Sequence, residues 1–443
     1  MNSEFDALIK GGICVTPGGI VEADIGIRDG RIAAIGALSS STAAEIFDAK
    51  GLHILPGVID THVHFREPGL EHKEDMETGS RGALLGGVTS VFEMPNTLPP
   101  TTTRAAIDDK LARAAGSMHC DYAFYVGATP NALGALAELE KAPGVAGVKL
   151  FMGSSTGNLL VDTDEAISGA LKSGQRRMSI HAEDEARLKE RSKLAIPGDP
   201  ATHPVWRDEE TARLATERVL HLAKDAGRRI HILHATTEAE MPLLAEARDF
   251  ATVEATVQHL TLVAPECYER LGTRAQMNPP IREPRHRKAL WRAVAEGLID
   301  VVGSDHAPHT LAEKSGLYPQ TPSGMPGIQT LTTIMLDHVH AGRLSLMRAV
   351  DLLSTGPARV FGIVGKGRIA RGYDADFTIV DMNAHRMIES RNMASRCGWS
   401  PFDGKRTTGW PVATMLRGQL VMRDDAIIGE HRGQQLRFAD VSL

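Results

Sequence analysis

The sequence has no long apolar run, no strong excess of either charge and no clustered cysteines, and each lack removes a class of protein. No stretch approaches the roughly 18 consecutive apolar residues of a membrane-spanning helix, and the opening MNSEFDALIK is too polar and acidic for a signal peptide. The 49 Lys+Arg stand against 55 Asp+Glu, a formal net charge of -6, which argues against a nucleic-acid partner or an anionic membrane surface. Cys14, Cys120, Cys267 and Cys397 are the only cysteines among 443 residues and show no CxxC spacing. They make neither a disulfide framework nor a zinc knot. No GxGxxG follows the first strand of the central region and no Walker A motif occurs, which excludes the dinucleotide and P-loop readings. The expectation is a soluble, cytoplasmic protein with a small-molecule substrate. What is abundant is histidine, 18 in all, and its placement carries the functional argument.

Residues 1–55 read as short strands and tight turns; Ala23 to Ile35 alternates around Arg28-Asp29-Gly30, a hairpin signal. Gly367 to Asp381 and Ala413 to Ile428 read similarly. Between these flanks a short apolar strand followed by a helical pattern recurs. Eight strands are predicted: Val58–Phe65, Thr89–Met94, Asp121–Gly127, Gly147–Met152, Met178–Ala182, Arg229–His234, Thr252–His259 and Asp300–Asp305. Helical patterns fill the intervals, as at Glu210–Ala226 and Arg285–Glu296. Eight such units fit an α/β fold of the (β/α)8 TIM-barrel kind over 56–365 better than an open doubly wound sheet.

In such a barrel the chemistry lies where the strands end. The first strand ends in Asp60-Thr61-His62-Val63-His64, and the i, i+2 spacing puts both imidazoles on one side. His181 ends the fifth strand, His234 the sixth and Asp305 the eighth, while the fourth carries Lys149. Singly, each has an ordinary explanation. A strand-end histidine is usually a hydrogen-bonded polar plug, Asp305 would serve as a helix N-cap, and Lys149 as an interior ion-pair partner. Four histidines and an aspartate converging on one rim are a donor set suited to Zn²⁺, with Mn²⁺ or Co²⁺ as substitutes.

At these positions the chain resembles the amidohydrolase superfamily, and within it the dihydroorotases with the DxHVHxREPG signature. The segments that carry the resemblance are PGVIDTHVHFREPG (56–69), EMPNT (93–97), GVKLFMGSSTG (147–157), HAED (181–184), HILHATT (231–237), MNPPIR (277–282) and GSDHAPH (303–309). The resemblance implies that 1–55 and 366–443 join into a small β-sandwich beside the barrel. It implies one metal held by His62, His64 and Asp305, a second held by His181 and His234, and a carboxylated Lys149 bridging two Zn²⁺. Burial beside cations favours the neutral amine, the form that reacts with CO₂. Asp305 is the implied proton carrier.

The resemblance places the substrate among His64, Arg66, Asn96, Asn278, His309, Ser323 and Gly324. Arg66 lies two residues beyond His64 and offers a bidentate grip on a carboxylate, a residue that hydantoinase-like and allantoinase-like relatives generally lack. Asn96 and His309 are its implied partners on the carboxylate; Asn278 and the Ser323-Gly324 turn are the implied contacts to the ring amides. Ordinary readings stand beside these: Arg66 paired with Glu67, Asn96 as a turn residue, His309 at the surface. His259 and the Gly153–Gly157 loop receive no role.

The implied reaction is reversible ring opening of dihydroorotate to N-carbamoyl-aspartate, a step of pyrimidine biosynthesis. Two other readings stay open: a hydantoinase or allantoinase acting on rings without a carboxylate, and a catalytically silent scaffold. The scaffold reading is weakened because all six ligand positions hold competent residues. Similar proteins are commonly homodimers.

Overall fold

The computed structural model describes residues 3–155 and 159–439. In chain order the strands are β1 (Phe5–Thr16), β2 (Gly19–Arg28), β3 (Arg31–Gly36), β4 (Ala43–Asp48), β5 (His53–Pro56), β6 (Val58–Val63), β7 (Val88–Glu93), β8 (Asp121–Gly127), β9 (Val145–Phe151), β10 (Met178–His181), β11 (Ile230–Ile232), β12 (Ala251–Thr256), β13 (Val301–Gly303), β14 (Phe377–Met387), β15 (Arg406–Leu416), β16 (Gln419–Arg423) and β17 (Ala426–Ile427). Strands β6 to β13 lie side by side in sequence order and are parallel throughout. The first and last meet through the segments beyond their ends: His64 N donates to His306 O at 2.8 Å and His306 N to His62 O at 3.3 Å. Asp60 Oδ1 also accepts from Ser304 N at 3.1 Å. The result is a nearly closed (β/α)8 barrel.

The barrel forms because its strands are apolar on both faces. Every residue of β6, β7, β8 and β9 is buried, as a parallel sheet covered outside by helices and filled inside by side chains requires. Helices run between the strands, including Glu209–Ala226, capped by Asp208, and Pro284–Ala295. These agree with the sequence pattern to within one residue.

The second sheet is built from both ends of the chain, in the order β17-β16-β15-β14-β5-β1-β2-β3 with β4 beside β1. The two ends meet where β5 pairs antiparallel with β14, His53 opposite Val380 and Pro56 opposite Phe377. The β2–β3 hairpin turns at Asp29 (φ 51°) and Gly30 (φ 71°), the left-handed pair that a two-residue turn demands.

Four barrel strands end two or three residues before their apolar runs do, the first at Val63 rather than Phe65. The seventh ends at Thr256, not His259, because the Thr256 hydroxyl accepts from His259 N (3.3 Å) and caps a short helix, Val257–Thr261. The sixth and eighth stop at Ile232 and Gly303, so His234 and Asp305 lie just beyond their strands. Alternation in Gly367 to Asp381 likewise yields strand only from Phe377.

A buried charge cluster fastens the terminal sheet to the end of the barrel opposite the catalytic rim. Lys366 Nζ lies 2.8 Å from Asp121, which opens β8, and 3.4 Å from Asp374; it also pairs with Asp376, just ahead of β14. Arg417 adds a second cation on Asp121 at 2.7 Å. Removing one partner of such a group leaves the others buried without compensation. Lys366→Met is therefore expected to cost about 3–5 kcal/mol, read from denaturant unfolding. Wild-type stability in that variant would contradict this account of the joint.

Candidate active site

At the rim, His62 and His64 leave β6 on the same side, and both Nε2 atoms converge on one oxygen of Asp305. His62 Nε2 is 3.3 Å and His64 Nε2 3.1 Å from Asp305 Oδ1. Across the mouth, His181 Nδ1 lies 2.9 Å from His234 Nε2. The rings of His62 and His234 are 5.4 Å apart, so the two groups form one patch. His62, His64 and Asp305 have ligand atoms close enough to hold a metal ion together. Burial holds the His181 and His234 imidazoles below their usual range, and burial with Arg66 nearby takes His64 down to about 3. Neutral imidazole is the ligating form. His62 differs: burial opposes its protonation, but Asp305 and Glu254 outweigh burial and push it up.

A second layer, not anticipated from the sequence, orients these rings. His62 Nδ1 is 2.7 Å from Glu254 Oε1 in the middle of β12, and His181 Nε2 is 2.9 Å from Glu183 Oε2. Glu183 is gripped in turn by Arg207, whose Nε reaches Oε1 at 3.1 Å. His64 Nδ1 is fixed by Asn96 Oδ1 at 2.8 Å. His62, His64 and His181 thus each have one nitrogen turned to a support and the other to the cavity, the pattern of imidazoles that serve as ligands. A signal existed for two of them: Glu254 is a carboxylate inside an otherwise apolar strand, and Glu183 stands two residues from His181. Arg207 is brought in by tertiary structure alone.

Two buried cations face the cavity without compensation. Lys149 is 1% exposed, its Nζ has no hydrogen-bond partner, and burial lowers its pKa to about 7. Its Nζ lies over the Phe151 ring, 4.4 Å from the centroid. An orphaned amine between the His62–His64 and His181–His234 groups fits a site completed by CO₂ and metal ions, since a carbamate would give both groups an anion. Arg66 is equally buried. Its Nε donates to Pro308 O (3.2 Å), one terminal nitrogen touches His309 Nε2 (3.2 Å), and the other has no partner. Among the described residues no carboxylate lies within ion-pair distance of it, Glu67 included. Arg66 does not continue strand alternation: β6 ends at Val63 and Arg66 has φ 64°. That left-handed turn directs its side chain toward the 308–309 segment.

Most of the remaining candidates fall around the same cavity, which is lined by His62, His64, Arg66, Asn96, Lys149, His181, His234, Asn278, Asp305, Ser323 and Gly324. His309 stands behind Arg66, with Nε2 donating to Ser323 O at 3.0 Å and Nδ1 accepting from Lys73 Nζ at 3.2 Å. Asn278 receives a bond from His203 Nε2 (3.0 Å) and gives one to Ser155 Oγ (3.4 Å). Gly324 has φ 138°, and a Cβ there would meet Ala307 O at 2.5 Å, so the turn closes only with glycine. His259 lies away from the lining: its Nε2 donates to Pro279 O at 3.1 Å and so braces the Asn278 segment. Of the Gly153–Gly157 loop, Thr156 and Gly157 lie outside the described residues; Ser155 lines the cavity and Ser154 O accepts from Arg207.

Imidazoles, a carboxylate and an amine at the C-terminal rim of a (β/α)8 barrel define a hydrolytic enzyme. The sequence profile of the Amidohydrolase family matches residues 53–421. The chain is 38% identical to a dihydroorotase of Halobacterium salinarum over 92% of its own length and 96% of that protein's. It is 36% identical to an allantoinase of Rubrobacter xylanophilus over 98% of both. It superimposes on the L-hydantoinase of Arthrobacter aurescens with a TM-score of 0.92 at 31% identity, covering 98% of this chain and 99% of that one. The chain belongs to the amidohydrolase family, as a dihydroorotase-type member acting on cyclic amides.

The supports give a direct test. Glu254→Gln is expected to weaken metal binding about 10–100-fold, measured by competition with a chromogenic chelator. Unchanged affinity would remove Glu254 from the role of orienting His62.

Proposed function

We propose that the enzyme is a dihydroorotase, catalysing reversible hydrolysis of the ring amide of dihydroorotate to N-carbamoyl-aspartate in pyrimidine biosynthesis. The observation that carries this reading is the uncompensated guanidinium of Arg66. A buried cation without an ion-pair partner is costly; Asp305, Glu93, Glu313 and Glu74 act on it only from a distance, and a substrate carboxylate in contact would relieve that cost. The His309 tautomer adds to the argument. With Nε2–H committed to Ser323 O, the Arg66 and His309 donors face each other at 3.2 Å, an arrangement that an intervening oxyanion would relieve. A hydantoin or allantoin ring carries no carboxylate to place there.

His62, His64 and Asp305 would hold one Zn²⁺, His181 and His234 a second, with carboxylated Lys149 between them. The ions, when bound, supply Lewis acidity and a water activated at neutral pH. The protein groups do the rest. Arg66, Asn96 and His309 take the carboxylate and fix the ring, while Asn278 and the Ser323-Gly324 turn meet the ring amides and bring one carbonyl to the metal side. Misplacing that carbonyl by ~1 Å costs on the order of 10²-fold in rate. Despite burial, Asp305 is held well below the usual carboxylate range by His62 and His64, so it is ionised and able to accept a proton. It takes the proton released as water adds to the carbonyl and returns it to the departing ring nitrogen. Ring closure runs the same transfers in reverse. A cytoplasmic homodimer completes the proposal.

The second reading, an allantoinase or hydantoinase, is supported by the likeness to the Rubrobacter and Arthrobacter proteins, and Arg66 separates the two. Arg66→Ala should reduce kcat/KM for dihydroorotate by at least about 10²-fold. Wild-type enzyme should leave hydantoin and allantoin essentially unreacted. Turnover of the uncharged rings, unaffected by Arg66→Ala, would overturn the dihydroorotase assignment.

A further inference from the structure

Apart from the residues that line the mouth, three side chains from distant parts of the chain converge. Glu77 lies in the first turn of the helix Met76–Leu85, His119 just ahead of β8, and His431 in the segment after β17. One ligand atom from each falls within 4.8 Å of the others. His119 is 6% exposed; its Nε2 is 3.2 Å from Glu77 Oε1, and its Nδ1 is buried without a hydrogen-bond partner. The His119 and His431 ring centroids are 4.2 Å apart at 86°. His431 Nδ1 donates to Gly116 O at 3.2 Å, which leaves its lone pair on Nε2. A carbonyl-fixed tautomer of this kind is what ligating imidazoles show. Arg81 occupies Glu77 Oε2 at 3.0 Å and leaves Oε1 to the histidines.

We infer that Glu77, His119 and His431 form a second, structural metal site for a divalent transition ion of the zinc type. Two imidazole nitrogens and one carboxylate oxygen suit Zn²⁺ and select against Ca²⁺ and Mg²⁺, which prefer oxygen-only sets. His431 is exposed, so water completes the coordination. The site lies where the C-terminal segment reaches the barrel: Gly433 N donates to Met118 O (3.0 Å), Tyr122 N to Gln434 O (3.0 Å) and Leu436 N to Tyr122 O (2.8 Å). An ion joining His431 to His119 and Glu77 clips this segment in place and stabilises the docked form by mass action. Nothing in the inference depends on the reaction at the mouth.

The test is metal counting on the full-length protein, equilibrated with a fixed low concentration of free Zn²⁺, for wild type, His431→Ala and Glu77→Gln. Both variants should bind one equivalent fewer than wild type, with ring-opening rates unchanged. His431 is exposed, so its replacement gives up only the edge contact with His119 and the bond to Gly116 O. As a second readout, Zn²⁺ should slow tryptic cleavage at Arg432 and Arg437 in wild type but not in His431→Ala. Equal metal content in all three proteins, or tryptic cleavage indifferent to Zn²⁺ in wild type, would overturn the inference. Metal content reads this site even if the enzyme opens a different ring.

Discussion

A lysine amine buried without an acceptor, beside imidazoles of which burial lowers His64, His181 and His234, sets the terms for the barrel mouth. Lys149 has no hydrogen-bond partner, and its pKa falls to about 7, so near neutrality a large fraction is free amine and open to CO₂. Around it His181 and His234 turn nitrogens inward, while Glu183, Glu254 and Asn96 hold the rings from behind. A fully apolar mouth would be more stable alone. This one accepts unpaired polar atoms, a cost that bound ions and a bridging anion would offset, which would couple assembly of the site to metal.

Backbone strain is concentrated at the same place. Among the described residues, seven other than glycine adopt positive φ. Asp29, Arg417, Asp424 and Asp425 sit in two-residue hairpin turns, where that conformation is expected. The other three are Arg66, His234 and Asp305, at φ 64°, 36° and 40°. Each follows a barrel strand and turns a functional side chain out of strand alternation into the cavity, at a cost of order 1–3 kcal/mol apiece. The fully buried barrel strands supply the rigidity that holds these conformations.

The barrel was legible because its signal is coarse: short buried runs alternating with amphipathic helices survive errors of a few residues at each boundary. Those errors had a common cause. Apolar character continues past the point where a cap or a left-handed turn ends a strand, as at Thr256 and before His234, and hydrophobic pattern does not encode that turn. The rim residues were legible because histidine spacing at strand ends is unusual in itself. The orienting carboxylates were less so, since a lone glutamate is ordinary until its burial is known, and Arg207 reaches Glu183 only through the fold. His309, read from the sequence as a surface histidine unless its motif gives it a role, lies against Arg66 and is bonded to Ser323 O and Lys73.

The claim at the centre of this account is that Lys149 becomes the anion joining two metal ions. The most direct measurement is metal content together with dihydroorotate ring opening in Lys149→Ala, made in the His431→Ala background so that only the mouth is counted. The account predicts two equivalents of metal with Lys149 present. Without it, metal and turnover should both fall, and short carboxylic acids that fit the vacated space should restore both in part. Two equivalents of metal and undiminished turnover in Lys149→Ala, with no added acid, would contradict it.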